Sequence, residues 1–202
     1  MKKKILTMAM AVVLLAGCGT LGNQDGILSG IDGTSILGNV LGSVLGLNKI
    51  SQENLVGTWK YSGPGCAFTS DNLLAQAGGE VASQRIKSTL LNYYNSAGIS
   101  SSNTYFTFGQ DNTFTAKVAG KTVSGNYAYD PNTGQMTIKT LLFTINAYVT
   151  ASNSGISLLF ESQKLLTILQ TIGGMSGNAT LATIGELSRN YDGVRLGFDL
   201  AR

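Results

Sequence analysis

The feature that most constrains this chain is a series of short runs in which apolar and polar residues alternate, each bounded by turn residues. A period of two places successive side chains on opposite faces of a β-strand. The connections at 110–112 and 130–134 are typical of hairpin turns. The pattern predicts eight strands, at residues 55–61, 104–108, 113–118, 122–129, 135–140, 143–151, 155–161 and 194–200. We therefore predict a mainly β fold, an eight-stranded antiparallel up-and-down barrel with two helical insertions.

One face of each predicted strand is apolar, while the other carries Thr, Ser, Asn, Gln and Lys. In a closed barrel the apolar faces meet in the interior, where they either fill the core or line a small cavity. The interior set includes Phe108, Ala116, Val118, Val123, Met136, Ile156, Leu158, Val194, Leu196 and Phe198. The positions predicted as ligand-pocket or core residues are Trp59, Phe106, Phe114, Tyr127, Tyr129, Ile138 and Phe160.

Two segments follow a helical period instead. The first begins at Asp71, a good N-cap, meets Gly78-Gly79, and continues with an apolar stripe until Gly98. The second begins near Ser162 and runs to residue 172, and a shorter helix is predicted at 178–188. Because an apolar stripe needs a surface to cover, we expect these helices to lie over the ends of the barrel.

The amino terminus resembles the lipoprotein signal of bacteria. Three lysines at 2–4 precede 12 apolar residues at 5–16, a run too short to cross a bilayer. It ends in Leu15-Ala16-Gly17-Cys18, which is similar to the lipobox. The resemblance implies a signal peptide at 1–17 and lipid on Cys18. No aspartate follows the cysteine, so we expect a cell-envelope protein anchored to the outer membrane, on its periplasmic face.

Residues 18–54 are predicted to be the lipid anchor and a glycine-rich tether, and residues 55–202 the barrel domain. Within the tether, Gly38, Gly42 and Gly46 accompany apolar residues at a helical spacing. Residues 36–47 are therefore either a helix with a glycine groove or a flexible spacer, since glycine disfavours helix.

Composition excludes several functions. Removing the three amino-terminal lysines lowers Lys plus Arg from 14 to 11, equal to the 11 Asp plus Glu, so no excess positive charge remains to bind nucleic acid. The chain has no histidine, which removes the usual catalytic triads and imidazole metal sites. Glu161, Glu186, Asp192 and Asp199 follow no catalytic spacing, and Cys66 has no histidine partner. We predict no enzyme activity, no cofactor and no metal site.

Gly57-Thr58-Trp59 resembles the Gly-x-Trp signature of lipocalins and other calycins, in which the tryptophan packs across the closed end of the barrel. Segments 55–61, 70–79 and 191–193 are also similar to those of a family of uncharacterised Bacteroidetes lipoproteins described as lipocalin-like. This resemblance implies a fold and a location but no catalytic residues. The helical insertion after the first strand departs from an open lipocalin cup.

Two functions remain open from the sequence. The barrel could bind a small lipophilic ligand, such as a fatty acyl chain or a bile acid, with Tyr127 and Tyr129 orienting its polar end. Alternatively, the protein is a non-catalytic structural or interaction protein of the envelope with a filled core. The volume enclosed by Phe106, Phe114, Tyr127, Ile138 and Phe160 distinguishes the two.

Overall fold

The computed structural model describes residues 49–69, 78, 80–173 and 193–202. By its internal contacts the chain divides into residues 1–31 and 32–202, and every described residue belongs to the second unit. Cys18, the tether segment 36–47 and the predicted helix at 178–188 therefore lie outside the described residues. Among the described helices, none has the length and hydropathy needed to cross a membrane.

The described residues form a closed barrel of eight antiparallel strands, each paired with the next along the chain and the last paired with the first. The fold class predicted from the alternating pattern is confirmed. The strands are β1 Gly57–Phe68, β2 Tyr105–Phe108, β3 Thr113–Val118, β4 Lys121–Asp130, β5 Gln135–Thr140, β6 Thr144–Ser152, β7 Gly155–Glu161 and β8 Val194–Ala201.

The first strand differs from its prediction at both ends. Leu55 belongs to a short helix, α1 Gln52–Leu55, which Ser51 caps by accepting a hydrogen bond from the Asn54 backbone N–H. β1 continues to residue 68 through Gly63-Pro64-Gly65, a sequence typical of turns. The continuation is tolerated because β2 pairs only with residues 57–60, so the later part of β1 is an edge on that side. β8 pairs with it on the other side after a register shift between Tyr61 and Gly63.

The predicted inward faces form the core. Every residue of the predicted interior set is buried, as are six of the seven pocket or core positions. Tyr129 is the exception and is half-buried. On β7 the outward Leu159 is also buried, so this strand has five consecutive buried residues and its burial does not alternate.

Helices cover both ends of the barrel. α1 lies at the end where β1 begins, and this end is called the α1 end. α2 Glu80–Ser96 packs against β1, and α3 Ser162–Gly173 contacts β4, β7 and β8 at the opposite end, called the α3 end. The two predicted helical insertions are confirmed in the described residues, although the segment from Asp71 to 77 lies outside them. After α2 the chain turns at Gly98, which has a positive φ of 73°.

Candidate functional site

Within the described residues, the interior of the barrel is packed around one small concavity. It contains a void of about 20 Å³ near the α3 end. A void of this size accommodates roughly one water molecule, and an apolar lining leaves it dry. Four predicted pocket residues line it: Phe106, Phe114, Ile138 and Phe160. The other lining side chains are Ala116, Val118, Val123, Phe143, Ile145, Ile168 and Phe198.

Aromatic side chains from α2, β1, β2 and β8 pack together in the core. Tyr94 of α2 stacks on Phe198, with ring centroids 5.1 Å apart, and Tyr61 meets the Tyr94 ring edge-on at 5.8 Å. Phe106 lies 5.1 Å from Phe198 on another side. The Tyr94 hydroxyl donates to the Gly197 carbonyl at 2.9 Å, and the side chain is fully buried. Burial raises the pKa of Tyr94 well above its usual value.

Sequence reasoning placed Tyr94 on the apolar stripe of a helix but did not place it in the barrel. Phe143 and Ile168, which close the void toward the α3 end, were also not predicted as site residues. The helical period shows that α2 and α3 each have an apolar face, and this was the sequence signal that could have pointed to Tyr94 and Ile168. It does not show which side chains enter the interior.

Trp59 lies away from the void, at the α1 end. Its Nε1 donates to the Leu55 carbonyl at 2.8 Å, and its indole is 5% exposed. The Arg202 guanidinium carbon lies 4.7 Å from the ring centroid. Trp59 therefore closes the barrel beside α1, which is the position that the lipocalin resemblance implies.

The two predicted tyrosines also act at the α1 end. The Tyr127 hydroxyl donates to the Gly109 carbonyl at 2.9 Å and accepts from Gln52 Nε2 at 3.1 Å. The Tyr129 hydroxyl donates to the Ile50 carbonyl at 2.7 Å. Burial raises the pKa of both phenols, so both remain neutral donors at neutral pH. They fix the segment before β1, and neither of them lines the void.

Cys66 is half-buried on β1, opposite Leu196 of β8, and packs against the core. Within the described part of the chain, no three Cys, Asp or Glu side chains cluster closely enough to hold a metal ion.

A closed eight-stranded barrel with a buried tryptophan at a helix-covered end defines a lipocalin-like protein. The chain matches the family model described as Lipocalin-like domain (DUF4923) over residues 32–202, which is more than half of its length. It belongs to this family. No curated protein and no solved structure matches the chain. A lipocalin-like domain is generally a binding fold and not an enzyme fold.

Proposed function

We propose that this protein is a lipoprotein of the cell envelope, held on the outer membrane by lipid on Cys18, with a non-catalytic barrel that serves in interaction. The order of basic residues, apolar run, small residues and cysteine at 2–18 supports the anchor. Several acyl chains, at about 0.8 kcal/mol per buried CH₂, would make the attachment stable.

Substitution of the two cysteines tests the anchor. Cys18→Ala removes the acyl acceptor, so we expect the protein to leave the membrane fraction and to lose label from an alkyne fatty acid. Cys66→Ala is the matched control, because it removes the other thiol and leaves the amino terminus intact. Membrane fractionation and fatty-acid labelling of the Cys18→Ala chain equal to those of the parent would contradict the proposal.

The volume of the interior void distinguishes a scaffold role from a ligand-carrier role. Pockets for drug-sized ligands occupy roughly 300–1,000 Å³, and the void here is about 20 Å³. Among the described residues, this void has no room for a fatty acyl chain or a bile acid. This favours a scaffold that presents its outer surface to a partner over a carrier that encloses a ligand.

Ligand titration tests the role. We expect no saturable heat when dodecanoate or deoxycholate is titrated into the non-lipidated Cys18→Ala chain. Native mass spectrometry of the same chain, purified from its host, should give the mass of the protein alone. A stoichiometric small-molecule adduct would contradict the filled-core role and would identify the ligand class.

A small lipophilic ligand inside the barrel is the second candidate function. One observation favours it: the void is lined only by apolar side chains, and Ile168 of α3 forms part of its wall. Displacement of α3 would therefore open an apolar pocket at the α3 end. Ile168→Ala enlarges the void without altering a strand. If the barrel is a carrier, this variant should bind dodecanoate more tightly than the parent chain does, and Thr167→Ala, which changes an exposed residue of the same helix, should bind it as the parent does.

A further inference from the structure

A second concavity lies outside the barrel interior, between α2, β1 and the β6–β7 turn. This groove has a volume of about 360 Å³, which falls in the range typical of small-molecule sites, roughly 300–1,000 Å³. Six of its nine lining residues have polar side chains, while more of its exposed lining surface is apolar than polar, so a ligand would meet both kinds of surface. The interior void, in contrast, has only apolar side chains in its wall.

One face of α2 supplies a wall of the groove. Gln84, Lys87, Ser88 and Leu91 follow one another at intervals of three, one and three residues, which places them together on a helix. Leu91 is 41% exposed, so an apolar surface stands among amide, ammonium and hydroxyl groups. An exposed leucine in a polar groove suits a ligand that has both a polar edge and an apolar face.

The strands supply the opposite wall. Ser62 stands at the register shift of β1, and its hydroxyl lies 3.2 Å from that of Ser154 in the β6–β7 turn. Either serine can donate to the other, and each keeps capacity for a further hydrogen bond. Hydroxyl groups from two separate elements thus face the same space.

A neutralised ion pair lies in the groove. Lys87 Nζ is 3.0 Å from Asp199 Oδ2, and the Ser157 hydroxyl donates to Asp199 Oδ1 at 2.5 Å. The two side chains are 34% and 18% exposed, respectively. Because the opposite charges compensate, an ionic ligand gains little net attraction there. A ligand that both donates and accepts hydrogen bonds can use the ammonium and the carboxylate together.

We propose that this groove binds a neutral polyhydroxylated ligand, specifically a hexopyranose unit of a carbohydrate. Its hydroxyl groups would bond to Asp199, Lys87 and the groove serines, and a C–H face of the ring would pack on Leu91. The proposal goes beyond the function given above, since it depends neither on lipid at Cys18 nor on the barrel interior.

Sugar titration observed by ¹H–¹⁵N NMR tests the site on the non-lipidated chain, residues 18–202 with Cys18→Ala. The probes are glucose, galactose, mannose and N-acetylglucosamine. We expect at least one to shift the amides of Ser62, Lys87, Ser88 and Ser154 saturably, with millimolar affinity. Absence of saturable shifts with all four sugars would overturn the proposal.

Two variants locate the binding. Ser88→Trp places a bulky ring in the groove and should weaken binding about tenfold or more. Ser96→Trp makes the same change at an exposed position of α2 that does not line the groove, and should leave affinity unchanged. Equal affinity in both variants, with well-dispersed spectra, would place the sugar elsewhere and overturn the proposal.

An anionic sugar tests the charge argument. Glucuronate differs from glucose mainly by its carboxylate, so it should bind no more tightly than glucose if the Lys87–Asp199 pair is neutral toward ligands. Markedly tighter glucuronate binding that is lost in Ser88→Trp would overturn the assignment to a neutral ligand and would indicate an anion site at Lys87.

Discussion

Arg202 lies over the indole of Trp59 and joins the last strand to the first. Its guanidinium carbon is 4.7 Å from the ring centroid, and Nη2 donates to the Asn54 carbonyl at 2.8 Å and the Val56 carbonyl at 3.3 Å. The same side chain thus holds α1, the start of β1 and the end of β8 together at the α1 end. The barrel is closed there by contacts between residues that are far apart in the sequence.

Arg202→Ala should lower the free energy of unfolding by about 1–2 kcal/mol, because it removes a cation–π contact and two hydrogen bonds at a solvent-exposed site. Arg202→Lys keeps the charge but cannot reproduce the planar donor geometry, so an intermediate loss is expected. Urea unfolding followed by circular dichroism measures both. An unchanged midpoint for Arg202→Ala would show that this contact does not stabilise the barrel.

Tyr94 is expected to be among the most sensitive positions of the core. Tyr94→Ala removes a fully buried ring stacked on Phe198, and we expect a loss of about 3–5 kcal/mol. Tyr94→Phe keeps the ring but removes the donor to the Gly197 carbonyl, and should cost about 1–2 kcal/mol. Urea denaturation measures both losses. Similar losses for the two variants would mean that the hydrogen bond, and not the packing, is the main contribution.

Tyr61 is expected to weaken the fold at alkaline pH. Burial, with a smaller contribution from the Asp199 carboxylate, raises its pKa to about 12 from 10.0. The folded state therefore favours the neutral phenol, whose stabilising contribution is complete below pH 10 and is lost as pH rises toward 12. We expect the unfolding midpoint in urea to fall over this interval, and to fall less steeply in Tyr61→Phe.

The Tyr61→Phe variant also tests whether the Tyr61 hydroxyl contributes to stability at pH 7. The Tyr61 hydroxyl is buried and meets no hydrogen-bond partner within the described residues. Removing a buried, unpaired polar group relieves a desolvation penalty of about 1–3 kcal/mol. Tyr61→Phe should therefore be as stable as the parent at pH 7 or more stable. A clear loss of stability at pH 7 would show that the hydroxyl has a partner.

Gly155 is expected to tolerate no side chain. Its φ is +150°, and a β-carbon there would lie 2.6 Å from the Leu200 carbonyl oxygen and 2.9 Å from Trp59 Cζ3. Gly155→Ala should lower stability by about 1–3 kcal/mol through backbone strain and displacement of the indole. Ser154→Ala, one residue earlier in the β6–β7 turn, should change stability little. Thermal unfolding compares the two, and equal melting temperatures would contradict this reading.

Local sequence was sufficient where each strand is bounded by a clear turn. The predicted limits of β3, β5 and β7 are those of the structure. At 130–134 the Asp130 carboxylate accepts from the Asn132 backbone N–H and the Thr133 hydroxyl, and Gly134 takes a positive φ of 69°. These interactions lie within a few residues, so the sequence encodes them directly.

The extent of β1 and the state of the interior depended on distant partners. Gly63-Pro64-Gly65 forms a strand because β8 pairs with it, and no neighbouring residue indicates that pairing. Likewise, alternation correctly placed Phe106, Phe114 and Phe160 inside, but it did not reveal that Tyr94 from a separate helix fills the space beside them. Candidate pocket residues could be chosen from sequence, whereas the volume they enclose could not.

The sequence by itself determined the class of fold, the inward face of each strand and the apolar stripes of the two helices, because these follow from periodicity and turn chemistry within a few residues. Only the tertiary structure decided that the void among the described residues is small, that Tyr127 and Tyr129 hold the segment before β1, and that Lys87 meets Asp199 across 112 residues of chain. Such contacts depend on the register and packing of whole elements, which many sequences with the same local pattern could arrange differently.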